Sequence, residues 1–253
     1  MNIFGLNEEE VKSRINFRVD NYEKIKEMIL ERNCVHERAE DLVKLYGIDL
    51  AGVRAPELPD PDKAVSVIAL TENMVRDLGI DLQEVKDLAQ ENMLRRNPAR
   101  VRPLMDVLNG MIGMEDAGPS QEESPGIVMC SNTSGIMGAA TMFYPDIEEK
   151  IKAVIGSDFY ILPSSVHEVL AVPKTGMDLE DLRNMVTTIN EAEVSPKEQL
   201  SNNVYEFSGG RLRIALTEKE RNNGKTSINE VKNIVGQRRG SARANRPGRG
   251  SSL

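Results

Sequence analysis

Ser164, Ser165, His167 and Glu168 bring a hydroxyl nucleophile, an imidazole and a carboxylate into one short stretch. A hydrolase would use one serine as nucleophile, His167 to take its proton and a carboxylate to orient the imidazole. Local spacing opposes that reading. In an extended segment His167 and Glu168 point to opposite faces, so Glu168 cannot orient His167 where it stands. The competing reading is structural: both serines satisfy backbone groups in a turn after Pro163, and His167 or Glu168 makes one buried polar contact.

Metal chemistry is less supported. Neither His36-Glu37 nor His167-Glu168 is followed by the second histidine of an HExxH helix. Cys34 with His36 gives at most two ligands where a structural zinc needs four, so no metal is expected. Asn132-Thr133-Ser134-Gly135-Ile136-Met137-Gly138 has the small residues of a phosphate loop. It lacks both the Walker lysine and the dinucleotide glycine spacing, and it reads as a plain strand-to-helix turn with no cofactor. Met129, Met137 and Met142 read as core fillers. A different chemistry lies at the end of the chain, where Arg238, Arg239, Arg243, Arg246 and Arg249 are separated by small or polar residues. Such arginines can neutralise phosphates without reading bases, giving weak, salt-sensitive nucleic-acid binding. The competing reading is a solvated basic terminus with no dedicated partner, since aromatic residues for base stacking are missing there.

Charge separates this end from the rest. Residues 217–253 hold nine Lys or Arg against three Glu, a net +6 that leaves −14 on residues 1–216 of a chain totalling −8. An acidic body with a basic tail invites either contact between the two or a tail directed at an anionic partner. The chain has 253 residues, 40% of them apolar, enough for a sizeable core without staples. Its two cysteines, Cys34 and Cys130, are far apart and fit a reducing compartment. The first ten residues lack the basic and apolar regions of a signal peptide, and no window approaches a membrane span. A cytoplasmic location without membrane contact is expected.

The elements that would position these residues follow from periodicity. Asn7 with Glu10 makes a capping box, and Val11, Ile15, Val19, Tyr22, Ile25 and Ile29 recur at helical steps, predicting one long helix. Ala39, Leu42, Val43 and Tyr46 predict a second helix over residues 36–46, ended by Gly47, so that residues 1–54 form a helical hairpin. Residues 55–62, with Pro56, Pro59 and Pro61, are the linker. Residues 64–70 predict a strand with Thr71 as the following cap, and Asp81 with Glu84 caps another helix. A helix is expected over residues 101–112, then a loop over 113–125. Strands are predicted near residues 126–130, 159–162 and 166–172, and helices over 145–155 and 179–191. A hairpin over 204–216 turns at Ser208-Gly209-Gly210. The fold class is therefore α+β, an antiparallel sheet flanked by helices over residues 64–216. Residues 217–253 form a basic tail, with a short helix over 226–235 and an end too poor in apolar residues to order itself.

Two words carry a resemblance: Ile161-Leu162-Pro163-Ser164-Ser165-Val166-His167-Glu168-Val169 and Leu200-Ser201-Asn202-Asn203-Val204-Tyr205. Together with residues 11–24 and 67–92, they resemble a bacterial family of unknown function found in anaerobic gut bacteria, over roughly residues 8–216. Many members carry a further section before the first helix, so by this resemblance the chain looks shortened at its start and open to completion by another chain. The resemblance implies no catalytic residue. The expectation is a non-enzymatic binding or accessory module with an unknown protein partner. The alternatives are a hydrolase centred on Ser164 or Ser165 with His167, and a nucleic-acid-associated protein acting through the arginine tail.

Overall fold

The computed structural model describes residues 5–53, 67–111, 126–175, 178–217 and 220. The chain divides into two compact units, Met1–Ala215 and Leu216–Leu253. In the second, the described residues include Thr217 and Glu220, whose side chains cap each other's backbone N–H groups. The linker at residues 55–62, the loop at 113–125, the short helix at 226–235 and all five tail arginines lie outside the described residues.

The first unit is α+β, built on two antiparallel sheets. Its N-terminal part overturns the expected helical hairpin. The Asn7–Glu10 capping box is present, but the helix it starts, α1 (Glu8–Lys12), lasts little more than a turn. Strand β1 (Ile15–Asn21) follows, then α2 (Tyr22–Arg32). Ile15, Phe17 and Val19 are buried while Asn16, Arg18 and Asp20 alternate with them, a period of two hidden inside an apparent period of 3.6. The expected second helix is a hairpin of β2 (His36–Ala39) and β3 (Leu42–Asp49), turning at Glu40, whose φ is +60°. β3 is apolar on both faces because α2 covers one side and the main core the other; a strand buried twice loses the alternation that would identify it.

β3 is the centre of this sheet, with β1 on one side and β2 and β4 (Val67–Ala69) on the other. Gly47 lies mid-strand and ends no helix. A Cβ there would stand 2.7 Å from the Ile68 carbonyl oxygen, so the glycine is what admits β4. Thr71 caps α3 (Glu72–Asp77) through Met74 N–H, and Asp81 caps α4 (Leu82–Arg96) through Glu84 N–H. α4 is fastened to the N-terminal segment by buried Asn92, whose Nδ2 donates to the Lys12 and Ile15 carbonyls at 2.9 Å each.

The second sheet has the order β10-β9-β7-β8-β6-β5. Its edge strand β5 (Ala99–Pro103) takes the first residues of the helix expected at 101–112, and α5 (Leu104–Met111) begins only after Pro103. β6 (Val128–Asn132) leads through a 3-10 turn (Gly138–Phe143) into α6 (Ile147–Ile155), which Gly156 ends with φ +75°. β7 (Phe159–Leu162), β8 (Val169–Pro173) and α7 (Leu179–Glu193) follow, then the hairpin of β9 (Tyr205–Ser208) and β10 (Arg211–Ile214). One face of this sheet joins the main core, which also takes in the N-terminal sheet. α7 covers part of the other face through Leu179, Leu182 and Val186.

Candidate functional site

The segment between β7 and β8 is no tight turn. It runs beside residues 198–201, with Val166 N–H donating to the Glu198 carbonyl (2.8 Å), Leu200 N–H to Ser164 (3.1 Å) and Ser201 N–H to Pro163 (3.1 Å). The two sequence words are therefore neighbours in space. Ser165 is buried and its Oγ accepts from His167 N–H at 3.0 Å, a serine satisfying the backbone two residues on.

His167 is engaged on both ring nitrogens. Met137 N–H donates to Nδ1 at 3.3 Å, and Nε2 faces Glu198 Oε1 at 3.5 Å. With Nδ1 accepting, the neutral ring carries its proton on Nε2, directed at a carboxylate. A serine triad needs the reverse, with Nδ1–H held by the acid and Nε2 free to accept from the serine hydroxyl. Glu198 lies 31 positions from His167, and nothing local in the sequence signals their meeting. Glu168 takes no part in holding the ring.

The loop after β6 supplies the other side of this site. Asn132 organises it: its Oδ1 accepts from Gly135 N–H (2.8 Å) and Ser134 Oγ (2.9 Å), and its Nδ2 donates to the Ile136 carbonyl (2.8 Å). Met137 follows with φ +52°, which aims its N–H at His167. At Gly138 a Cβ would collide with Ser131 Oγ and the His167 carbonyl, groups already hydrogen-bonded to each other at 2.8 Å. Ile136, His167, Glu168, Glu193 and Glu198 line an open cleft of about 460 Å³. A second cleft of about 340 Å³ shares Gly135 and Glu168 in its wall and is lined on its far side by Arg100 and Arg102 of β5.

The second word serves another joint. Ser201 Oγ (2.7 Å), Asn203 Nδ2 (3.1 Å) and the Tyr205 hydroxyl all donate to the carboxylate of Asp41, at the β2–β3 turn. Burial, then the Asp41 carboxylate, pushes the Tyr205 phenol well above its ordinary range. Asn21 Nδ2 donates to the Leu200 carbonyl (2.9 Å), and Lys24 Nζ to the carbonyls of Pro196 (2.9 Å) and Gln199 (2.8 Å). The N-terminal sheet is thus latched to the second sheet through the segment that also supports Ser165 and His167.

Among the described residues no group of acidic, histidine and cysteine side chains could hold a metal ion, and no helix is long and apolar enough to cross a membrane. No curated protein and no solved structure matches the chain. A family model does, over residues 3–209, and the chain belongs to that family, described as a family of unknown function (DUF5688).

Proposed function

We propose that the chain is a cytoplasmic binding or accessory module with no enzymatic activity of its own, directed at a protein partner. The observation that carries this reading is the wiring of His167: Nδ1 accepts from Met137 N–H, Nε2 faces Glu198, and the Ser165 hydroxyl accepts from the His167 backbone. A nucleophile needs a base with a free acceptor, and here the residues that resemble a hydrolytic cluster hold a loop, a strand and a neighbouring segment together. Burial of both cysteines, with Cys130 pushed up to about 11, suits a reducing setting in which neither thiol is used.

The test is affinity capture with the full chain in its native host, alongside a fluorophosphonate probe on the folded protein. A specific partner with no label on Ser164 or Ser165 is the expected result. Turnover that disappears in His167→Ala would overturn the reading.

A second reading is favoured by the net +6 of residues 217–253, concentrated in Arg238, Arg239, Arg243, Arg246 and Arg249. As a nucleic-acid contact they would bind single strands with a log–log salt slope of about −3.5 when all five engage phosphates. Replacing the five with alanine should abolish that binding in a gel-shift or anisotropy assay; binding that persists refutes the assignment.

A further inference from the structure

We propose that the cleft between β5 and the 132–135 loop binds the phosphate group of a small phosphomonoester, held between Arg100 and Arg102. The proposal rests on the reading of the chain as a binding module and names what this part of its surface takes.

Both arginines stand on the same face of an edge strand, two positions apart, with their Cα atoms about 7 Å from each other. Two like charges side by side on one face repel, and an anion held between them would offset that repulsion. The body around them is acidic, and several of its basic groups are paired: Lys44 with Glu37 (2.9 Å), Arg96 with Asp49 (3.7 Å) and Arg213 with Glu40 (3.1 Å). Arg100 and Arg102 are exposed and have no ion-pair partner among the described residues.

The cleft they line is a built one. Its wall is the loop made stiff by Asn132, which presents the Thr133 and Ser134 hydroxyls beside the arginines. Val107 of α5 and Met129 of β6 give it an apolar side that fits the body of a small ester. Two guanidiniums against the single carboxylate of Glu168 leave one net positive charge in a volume of about 340 Å³. That suits one phosphate. A nucleic-acid backbone fits poorly, since it would face the −14 of residues 1–216 beyond the cleft. Guanidinium forks match phosphate oxygens bidentately, and the Thr133 hydroxyl beside them can add a donor, the Ser134 proton being already given to Asn132.

The test is a titration of 15N-labelled full-length protein with inorganic phosphate, acetate and p-nitrophenyl phosphate, each at constant ionic strength against chloride. Saturable amide shifts at Arg100, Arg102, Thr133, Ser134 and Gly135 are expected with both phosphates. Affinity should fall about tenfold or more in Arg100→Ala/Arg102→Ala and hold in Arg95→Ala. Retained dispersion in the variant spectra checks the fold. Shifts that do not saturate, that survive the double substitution, or that acetate produces at lower concentration than phosphate overturn the proposal. Binding of p-nitrophenyl phosphate without turnover supports both the site and the module reading. Binding with His167-dependent hydrolysis keeps the site and sinks the module reading, while absence of binding sinks the site alone.

Discussion

Asp41 receives donors from Ser201, Asn203 and Tyr205; removing the carboxylate takes this acceptor from all three and leaves Tyr205 only its 3.3 Å bond to Ser201 Oγ. Asp41→Ala should therefore cost about 3 kcal/mol, since the buried Ser201 and Tyr205 donors and the half-buried Asn203 each carry a desolvation cost when left unmade. Tyr205→Phe, which removes one donor and leaves the carboxylate its other partners, should cost about 1 kcal/mol. Urea unfolding followed by circular dichroism reads both, and equal costs would mean that Asp41 is not the centre of the joint. At Gly138 the reason for glycine is contact: a Cβ meets Ser131 and the His167 carbonyl, both fixed by their own bond. Gly138→Ala should lose about 2 kcal/mol or more and move the His167 ring resonances. Gly135→Ala meets nothing within 4 Å and suffers only its φ of +70°, so it should cost about 1 kcal/mol without moving them. Individual residues such as Ser165 and His167 were visible in the sequence as groups capable of chemistry. Their partners Met137 and Glu198 are not, because contacts across 30 or 31 positions leave no local trace.

At the level of elements, the helix caps were readable because a cap is a local event. Asn7, Thr71 and Asp81 each accept from a backbone N–H within the next turn, as their spacing to the apolar run predicts. Asp81→Ala should cost about 1 kcal/mol in thermal unfolding, a value that a solvent-facing aspartate without a capping role would not show. Strands β1, β2 and β3 stand where the apolar spacing predicts helices. Val19, Tyr22, Ile25 and Ile29 satisfy a helical period only because a strand and a helix happen to abut at Asn21. β3 carries apolar residues on both faces, and its pairing with β1, β2 and β4 decides its state. Gly47→Ala tests that pairing: the new methyl stands 2.7 Å from the Ile68 carbonyl oxygen, so about 2 kcal/mol should be lost and the amides of β4 should exchange faster. Unchanged exchange there would remove the case for close approach.

For the whole molecule, alkaline pH is the condition that reports on the core. Burial raises the Cys130 thiol from its ordinary 9.0 to about 11, offset in part by its contact with Thr141, and burial likewise raises the phenols of Tyr46, Tyr144 and Tyr205. A raised folded-state pKa means the folded protein keeps protons that the unfolded chain releases. Stability is then full below pH 9 and falls as pH rises through 11, with the thiol alone worth about 3 kcal/mol across that window. Cys130→Ala should flatten the pH 9–11 limb of the urea-midpoint profile, though it lowers the plateau by opening a small cavity. A limb of unchanged slope would place the effect on the tyrosines. By itself the sequence determined the α+β class, the caps, the Gly209-Gly210 turn, the helices near residues 145–155 and 179–191 and the charge split between residues 1–216 and 217–253. Each of these is set by neighbours within a few positions or by composition. Only the tertiary structure decided that residues 15–21, 36–39 and 42–49 are strands, that Asp41 latches the two sheets, that His167 is held by Met137 and Glu198, and that Arg100 and Arg102 share a cleft. Those outcomes depend on groups distant in the chain meeting once apolar surface is buried, and no local spacing encodes such meetings.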